Sequence, residues 1–299
     1  RLRIVRLLPL HDVQPEVDAT HARMAWIESE IRRLGSVAAG PGYLALGRTW
    51  LNLGDVPRAL HFLRLAWGSG EHSPETAQSL GLALGQLFLE NQRSAVRNGV
   101  HGQPSTSQQI ELDRQRSEAL RYLREGANSQ GPTAPLARAI EAFCQDRSGE
   151  ALNLCQAAFE ATPWMYESQF MVARHHLLMT EKASAENRVE EATGYLQSAE
   201  AAVAAVQRVA SSEAQVYCLQ AEIAKTRAIH ADWQGREALP ALNEMEALAR
   251  RALQAESRNG EAALELGQAL LRKVMWQTER RGRSGDALVR QLEEAQARF

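Results

Sequence analysis

The chain has 299 residues with 34 Lys and Arg against 36 Asp and Glu, a formal net charge of −2, so charge gives no case for nucleic acid or an anionic membrane surface. Ala, Leu, Glu, Gln and Arg dominate and aromatics make up only 6%, which is helix composition; no segment alternates long enough to read as a sheet. No apolar run approaches the roughly 20 residues that span a bilayer.

The chain starts at Arg1 without a signal-peptide pattern and reads as an excised piece of a longer protein. Residues 1–39 read as a lead-in segment and capping helix. Its helix is expected over Pro15–Leu34, amphipathic through Val17, Met24, Ile27, Ile31 and Leu34. His11-Asp12 ahead of it is a lone pair in a loop, with no second histidine cluster at metal spacing.

From residue 40 to 299 the chain reads as an array of helix hairpins. Tyr43, Leu46, Gly47 and Trp50 lie at i, i+3, i+4 and i+7, one face of a helix. Gly47 costs such a helix about 1 kcal/mol against Ala, so close packing has to compensate. Asn52-Leu53-Gly54-Asp55 breaks the helix, and Pro57 suits the first turn of the next, which continues through Ala59, Leu63 and Ala66. The motif returns at Ala77, Leu80, Gly81 and Leu84, with Gly81 34 residues after Gly47, and again at Ala263, Leu266, Gly267 and Leu270.

This period and its large–small pairs resemble the tetratricopeptide repeat, which implies an all-α, right-handed superhelical solenoid of antiparallel helix pairs. Second helices are anchored near Ala59, Ala119, Ala151, Ala192, Met245 and Ala287. The expectation is about six degenerate hairpins, about thirteen helices and no sheet. Gly47, Gly81 and Gly267 are expected buried at helix contacts. An insertion falls near 91–110, where Asn98–Gln109 is polar and reads as a disordered loop.

No catalytic constellation emerges: there is no phosphate loop, HExxH or GxSxG. No metal or cofactor is indicated, and the fragment reads as non-enzymatic. His175-His176 are adjacent on a helix, about 100° apart, so one is expected to pack inward and the other to face a groove. Cys144, Cys155 and Cys218 form no CxxC pair; Cys144 and Cys155 are expected on opposite arms of a hairpin as reduced, buried thiols, with a bridge between them the alternative for an extracytoplasmic domain.

An array of this kind has a concave face lined by its first helices. Register beside each small position, or one turn before it, places Leu44, Arg48, Gln78, Phe170, Arg174 and Gln268 there. That mixture of apolar and cationic groups suits a protein or extended peptide, or a small ligand with an acidic group. A homodimer is compatible with it.

LLPLHDVQPE (Leu7–Glu16), GPGYLALGRTWLNLGD (Gly40–Asp55), AWGSGEHSPETAQSLGLALGQLF (Ala66–Phe88) and AFEATPWMYES (Ala158–Ser168) resemble the C-terminal repeat region of a family of bacterial serine/threonine protein kinases. In that family a kinase domain precedes a membrane-spanning helix and then the repeats. The resemblance implies a sensory or partner-binding domain on an inner-membrane kinase, in the periplasm, with the cytoplasm as the alternative. No kinase motif is present in this chain: no glycine-rich loop with its lysine strand, no HRD, no DFG. A constitutive scaffold without a linked kinase is the competing reading.

Overall fold

A computed structural model describes residues 9–98 and 103–281, with the backbone alone at 279–281. Its regular elements are helices, twelve among the described residues. They separate into two compact units, 18–195 and 9–17 with 196–281; the divisions fall inside helices α1 (Gln14–Leu34) and α9 (Val189–Val209).

In the first unit, α2 (Ser36–Asn52) pairs with α3 (Val56–Gly68), α4 (Pro74–Asn98) with α5 (Thr106–Glu125), and α6 (Ala134–Cys144) with α7 (Ser148–Ala161); α8 (Glu167–Ala185) follows and packs on α7. In the second, α10 (Ala214–Trp233) pairs with α11 (Leu239–Ala255), and α12 (Gly260–Arg281) packs on both. The five second helices expected from sequence are therefore α3, α5, α7, α9 and α11. Their anchors Ala59, Ala119, Ala151, Ala192 and Met245 are all 0% exposed. The sixth, at Ala287, lies outside the described residues.

The hairpins close because large side chains lie against glycine. A Cβ at Gly47 would stand 2.6 Å from Leu63 Cγ, and one at Gly81 would stand 2.7 Å from Leu123 Cγ and 2.8 Å from its backbone nitrogen. Gly85 gives Ile140 the same room, its added Cβ falling 2.1 Å from Cγ2. Gly267, by contrast, is only half-buried, so the close-packing expectation holds at Gly47 and Gly81 and not there.

One turn recurs at the hairpin tips. Gly54, Asp146, Asn187 and Gly235 all have positive φ, 82°, 58°, 57° and 67°. In each case the next N–H reaches back to the helix end: Asp55 to Trp50 O, Arg147 to Ala142 O, Arg188 to Ala183 O and Arg236 to Ala231 O, at 2.8–3.0 Å. This bond pattern satisfies the last helical carbonyls, and Gly, Asn and Asp are the residues that tolerate the left-handed backbone. Asp55 then accepts Arg58 N–H at 2.9 Å, with Pro57 in the first turn, so one four-residue stretch both ends α2 and starts α3.

The helix α1 packs on α2. Met24 and Ile31 bury against Leu46, flanked by Tyr43, Trp50 and Phe62, while Leu34 is 51% exposed and stands outside the apolar stripe. Of the polar stretch Asn98–Gln109, residues 99–102 lie outside the described residues. Asn98 is still in α4, and Thr106 already opens α5 behind a capping box, Gln108 N–H to Ser105 Oγ and Ser105 N–H to Gln108 Oε1. Capping chemistry outweighs the disorder-prone composition there.

Cys144, Cys155 and Cys218 are free and buried. Burial pushes the thiols of Cys144 and Cys155 up to about 12 and that of Cys218 upward as well. We expect thiol reagents at pH 8 to label none of the three in the native protein and all three in denaturant; native-state labelling of Cys155 would contradict this packing. Gly81→Ala gains about 1 kcal/mol of helix propensity but meets the Leu123 backbone, so a net loss of about 1–3 kcal/mol is expected in a thermal melt. Gly194→Ala, with nothing within 4 Å of the added carbon, should instead stabilise by about 0.5–1 kcal/mol.

Candidate partner-binding surface

The six residues placed on a concave face by register meet different fates. Arg48 is exposed. Leu44 is half-buried and packs against the core of the first unit. Gln78 is a correction: it is 5% exposed, in a stretch of α4, Thr76–Gly85, where ten consecutive residues are buried. Neighbours α2, α3, α5, α6 and α8 all reach this helix. The Gln78 side-chain oxygen accepts from Thr133 Oγ1 at 2.9 Å and Ser129 Oγ at 3.3 Å, fastening the α5–α6 connection. Its backbone faces Gly126, where a Cβ would fall 2.4 Å from the Gln78 nitrogen. Its polar group is satisfied inside the fold rather than offered to a ligand.

Phe170 is likewise a correction. It is 5% exposed and set edge-on against Tyr166 at 5.6 Å. Arg174 is partly exposed but donates to Glu90 Oε1 on α4 at 3.0 Å. A second link lies beside it on the same two helices: Arg93 and Arg97 both donate to Glu181 Oε1, at 2.9 and 2.8 Å. Arg93 and Glu181 are 12% and 16% exposed and Arg97 is 45% exposed, so a largely desolvated pair with a half-exposed arginine beside it ties α4 to α8. In the first unit, then, much of the polar chemistry expected to face a ligand joins helices to each other.

Gln268, in the second unit, has a different setting. Lys225 Nζ on α10 donates to Glu265 Oε1 at 3.0 Å and to Gln268 Oε1 at 3.2 Å, so the amide is held from below. Around it lies an apolar ridge. Leu264, Leu271 and Met275 are 54%, 44% and 52% exposed, and with Gln268 they fall at i, i+4, i+7 and i+11 on one face of α12. The opposite face, through Ala262, Leu266, Ala269 and Trp276, is buried. Three large apolar side chains left uncovered in line are unusual for a helix whose other face is already satisfied. The spacing 264–271–275 is visible in the sequence, but the small-residue motif at Gly267 drew the register to Gln268 alone.

The two histidines meet different helices: His175 lies tilted against Phe143 of α6 at 4.9 Å and His176 stacks on Tyr195 of α9 at 6.1 Å, and both are half-buried. Burial first, then the charges of His176 and Lys182, push His175 down to about 4; burial also lowers His176. His11 is part of a strap in the second unit, with Nδ1 2.9 Å from Ser212 Oγ. No group of three His, Cys, Asp or Glu side chains at metal-holding positions occurs among the described residues, and none of their helices is long and apolar enough to cross a membrane.

No protein-family profile matches the chain, and no curated protein matches it. Among solved structures it is similar to a TPR repeats protein from Bacteroides fragilis, at 12% identity over 87% of this chain and 99% of that one, with a TM-score of 0.26. At that score the likeness adds nothing to the hairpin geometry described above.

The histidines make stability depend on pH. A base whose folded pKa lies below its ordinary value stabilises fully above about 6.5, and the contribution is lost as pH falls toward 4. Urea unfolding at pH 7.5 and pH 5 should show a loss on the order of 2 kcal/mol at the lower pH, reduced in His175→Phe. An equal loss in both proteins would move the acid sensitivity elsewhere.

Proposed function

We propose that this chain is a partner-binding helical-repeat domain, the regulatory half of a bacterial serine/threonine protein kinase held outside the cytoplasmic membrane. The observation that carries the binding half of this reading is the exposed ridge Leu264–Leu271–Met275, with Gln268 fixed by Lys225. A ridge of this kind takes an apolar stripe from a helix or extended segment of another protein, and Gln268 offers one oriented polar contact within it. Arg48, exposed on α2, is a second contact point for an acidic partner.

The kinase half rests on the sequence resemblance. The resembling strings coincide with working parts of the fold: the segment ahead of α1, α2 with its closing turn, the start of α4 with Gly81, and the α7–α8 connection. Binding on the ridge would bias the chain between two states and so regulate a linked catalytic domain.

Two measurements test the two halves. Leu271→Glu with Met275→Glu should leave helicity unchanged, since both side chains are exposed, and should weaken recovery of a crosslinked partner by about 10–100-fold. Undiminished recovery would take the site off α12. The encoding gene should carry, upstream, a kinase segment followed by one apolar stretch of about 20 residues; its absence would leave the scaffold reading.

A further inference from the structure

Connections between helices run over the surface, and the hairpin tips at Gly54, Asp146, Asn187 and Gly235 are exposed. The α9–α10 connection breaks this pattern. Ala210, Ser211, Ser212 and Glu213 are 0%, 5%, 0% and 4% exposed. Part of what covers them is the chain's own segment ahead of α1. His11 N–H donates to Ser212 Oγ at 3.0 Å, and the Ser212 hydroxyl reaches Pro9 O at 3.2 Å.

The same segment fills the neighbouring α11–α12 turn. Val13 N–H donates to Ala255 O at 2.8 Å, taking a carbonyl that α11 leaves open at its end. Asp12 Oδ1 accepts from Ser257 N–H at 3.2 Å, and Gln14 Oε1 accepts from Arg258 N–H at 3.0 Å. Val13 itself is 0% exposed, while Pro9, Leu10 and Asp12 are exposed. The interaction is thus that of a bound peptide. Backbone N–H groups alternate with side-chain acceptors, one aliphatic side chain is swallowed, and the turns supply the complementary N–H and C=O groups.

We propose that the cleft between the α9–α10 and α11–α12 turns is a peptide-binding site, occupied in cis by residues 9–14. Its ligand class is an extended segment with a carboxylate, then a β-branched aliphatic side chain, then a side-chain amide, supplied in trans by a partner protein when the cis segment is drawn out. Tethering gives the cis segment an effective concentration in the millimolar range, so it holds the cleft closed against partners of modest affinity. The recognition is separate from the α12 ridge and stands or falls independently of it.

The probe is a fluorescein-labelled synthetic peptide, LPLHDVQPEV, titrated into the full chain and into the full chain carrying Asp12→Ala, Val13→Asp and Gln14→Ala, which removes both side-chain acceptors and the buried aliphatic side chain and leaves the cleft's own residues unchanged. The vacated chain should bind at least tenfold tighter than the unaltered one, and the peptide lacking its aspartate should bind at least tenfold weaker. A folded, vacated chain that does not take the peptide overturns the proposal, as does equal binding of the aspartate-free peptide. Should the vacated chain fail to fold, hydrogen exchange on the unaltered chain decides. The Val13, Ser257 and Arg258 amides should then exchange together, at least a hundredfold faster than the amides of α10. Exchange of those amides only with global unfolding would make the segment permanent structure and end the proposal.

Discussion

The structure depends on how closely two helices of a hairpin approach. Leu63 against Gly47 and Leu123 against Gly81 repeat one contact, a branched side chain laid over a bare backbone, with the backbone nitrogen of the leucine at or within 3.0 Å of where a Cβ would be. Such an approach lets the helices interlock at interior packing density, which recovers the helical propensity that glycine gives up. Ala59 and Ala119, each one turn before its leucine, have to be small for the same reason and are fully buried. Later hairpins keep the small residue on the second helix, Ala151 and Ala192, and α10 meets α11 through Ala221 and Ala224 in place of glycine.

This contact was legible because it is periodic. The 34-residue recurrence of glycine, the break at Asn52–Asp55 and the alanine anchors together locate the described hairpins. The candidate surface was less so, for a physical reason. Register gives the direction in which a side chain leaves its helix, but not how many other helices lie in that direction. Gln78 points as predicted from α4, yet α4 is enclosed by five helices, and its amide is spent on Ser129 and Thr133. Phe170, on α8, is buried too, edge-on against Tyr166. The Leu264–Leu271–Met275 ridge went unread because a helix with apolar residues on several faces looks, in sequence, like one that is simply buried.

Charge joins one helix to another in both units. In the first, Arg93 meets Glu181 largely out of solvent, while Arg97 and the Arg174–Glu90 pair beside them are partly exposed. Breaking such a network leaves an uncompensated charge behind, so it specifies which helices meet more than it adds net stability. In the second, Lys225 and Glu265 pair beneath α12 and leave its upper face apolar. We place the proposed partner surface on α12 rather than α4 because the exposed face of α12 carries Leu264, Leu271 and Met275.

The length of α4 has its own consequence. At 25 residues it runs about 37 Å, against about 16 Å for the 11-residue α6 that follows in the stack, so its far end overhangs α6 and meets α8 directly. Repeat arrays ordinarily behave as one-dimensional chains in which each module feels only its neighbours and can fray on its own. A helix that skips a module adds a next-nearest-neighbour coupling. Melting the third hairpin would therefore strain the contact between the second and the fourth, and this part of the array should lose its order as one block rather than module by module.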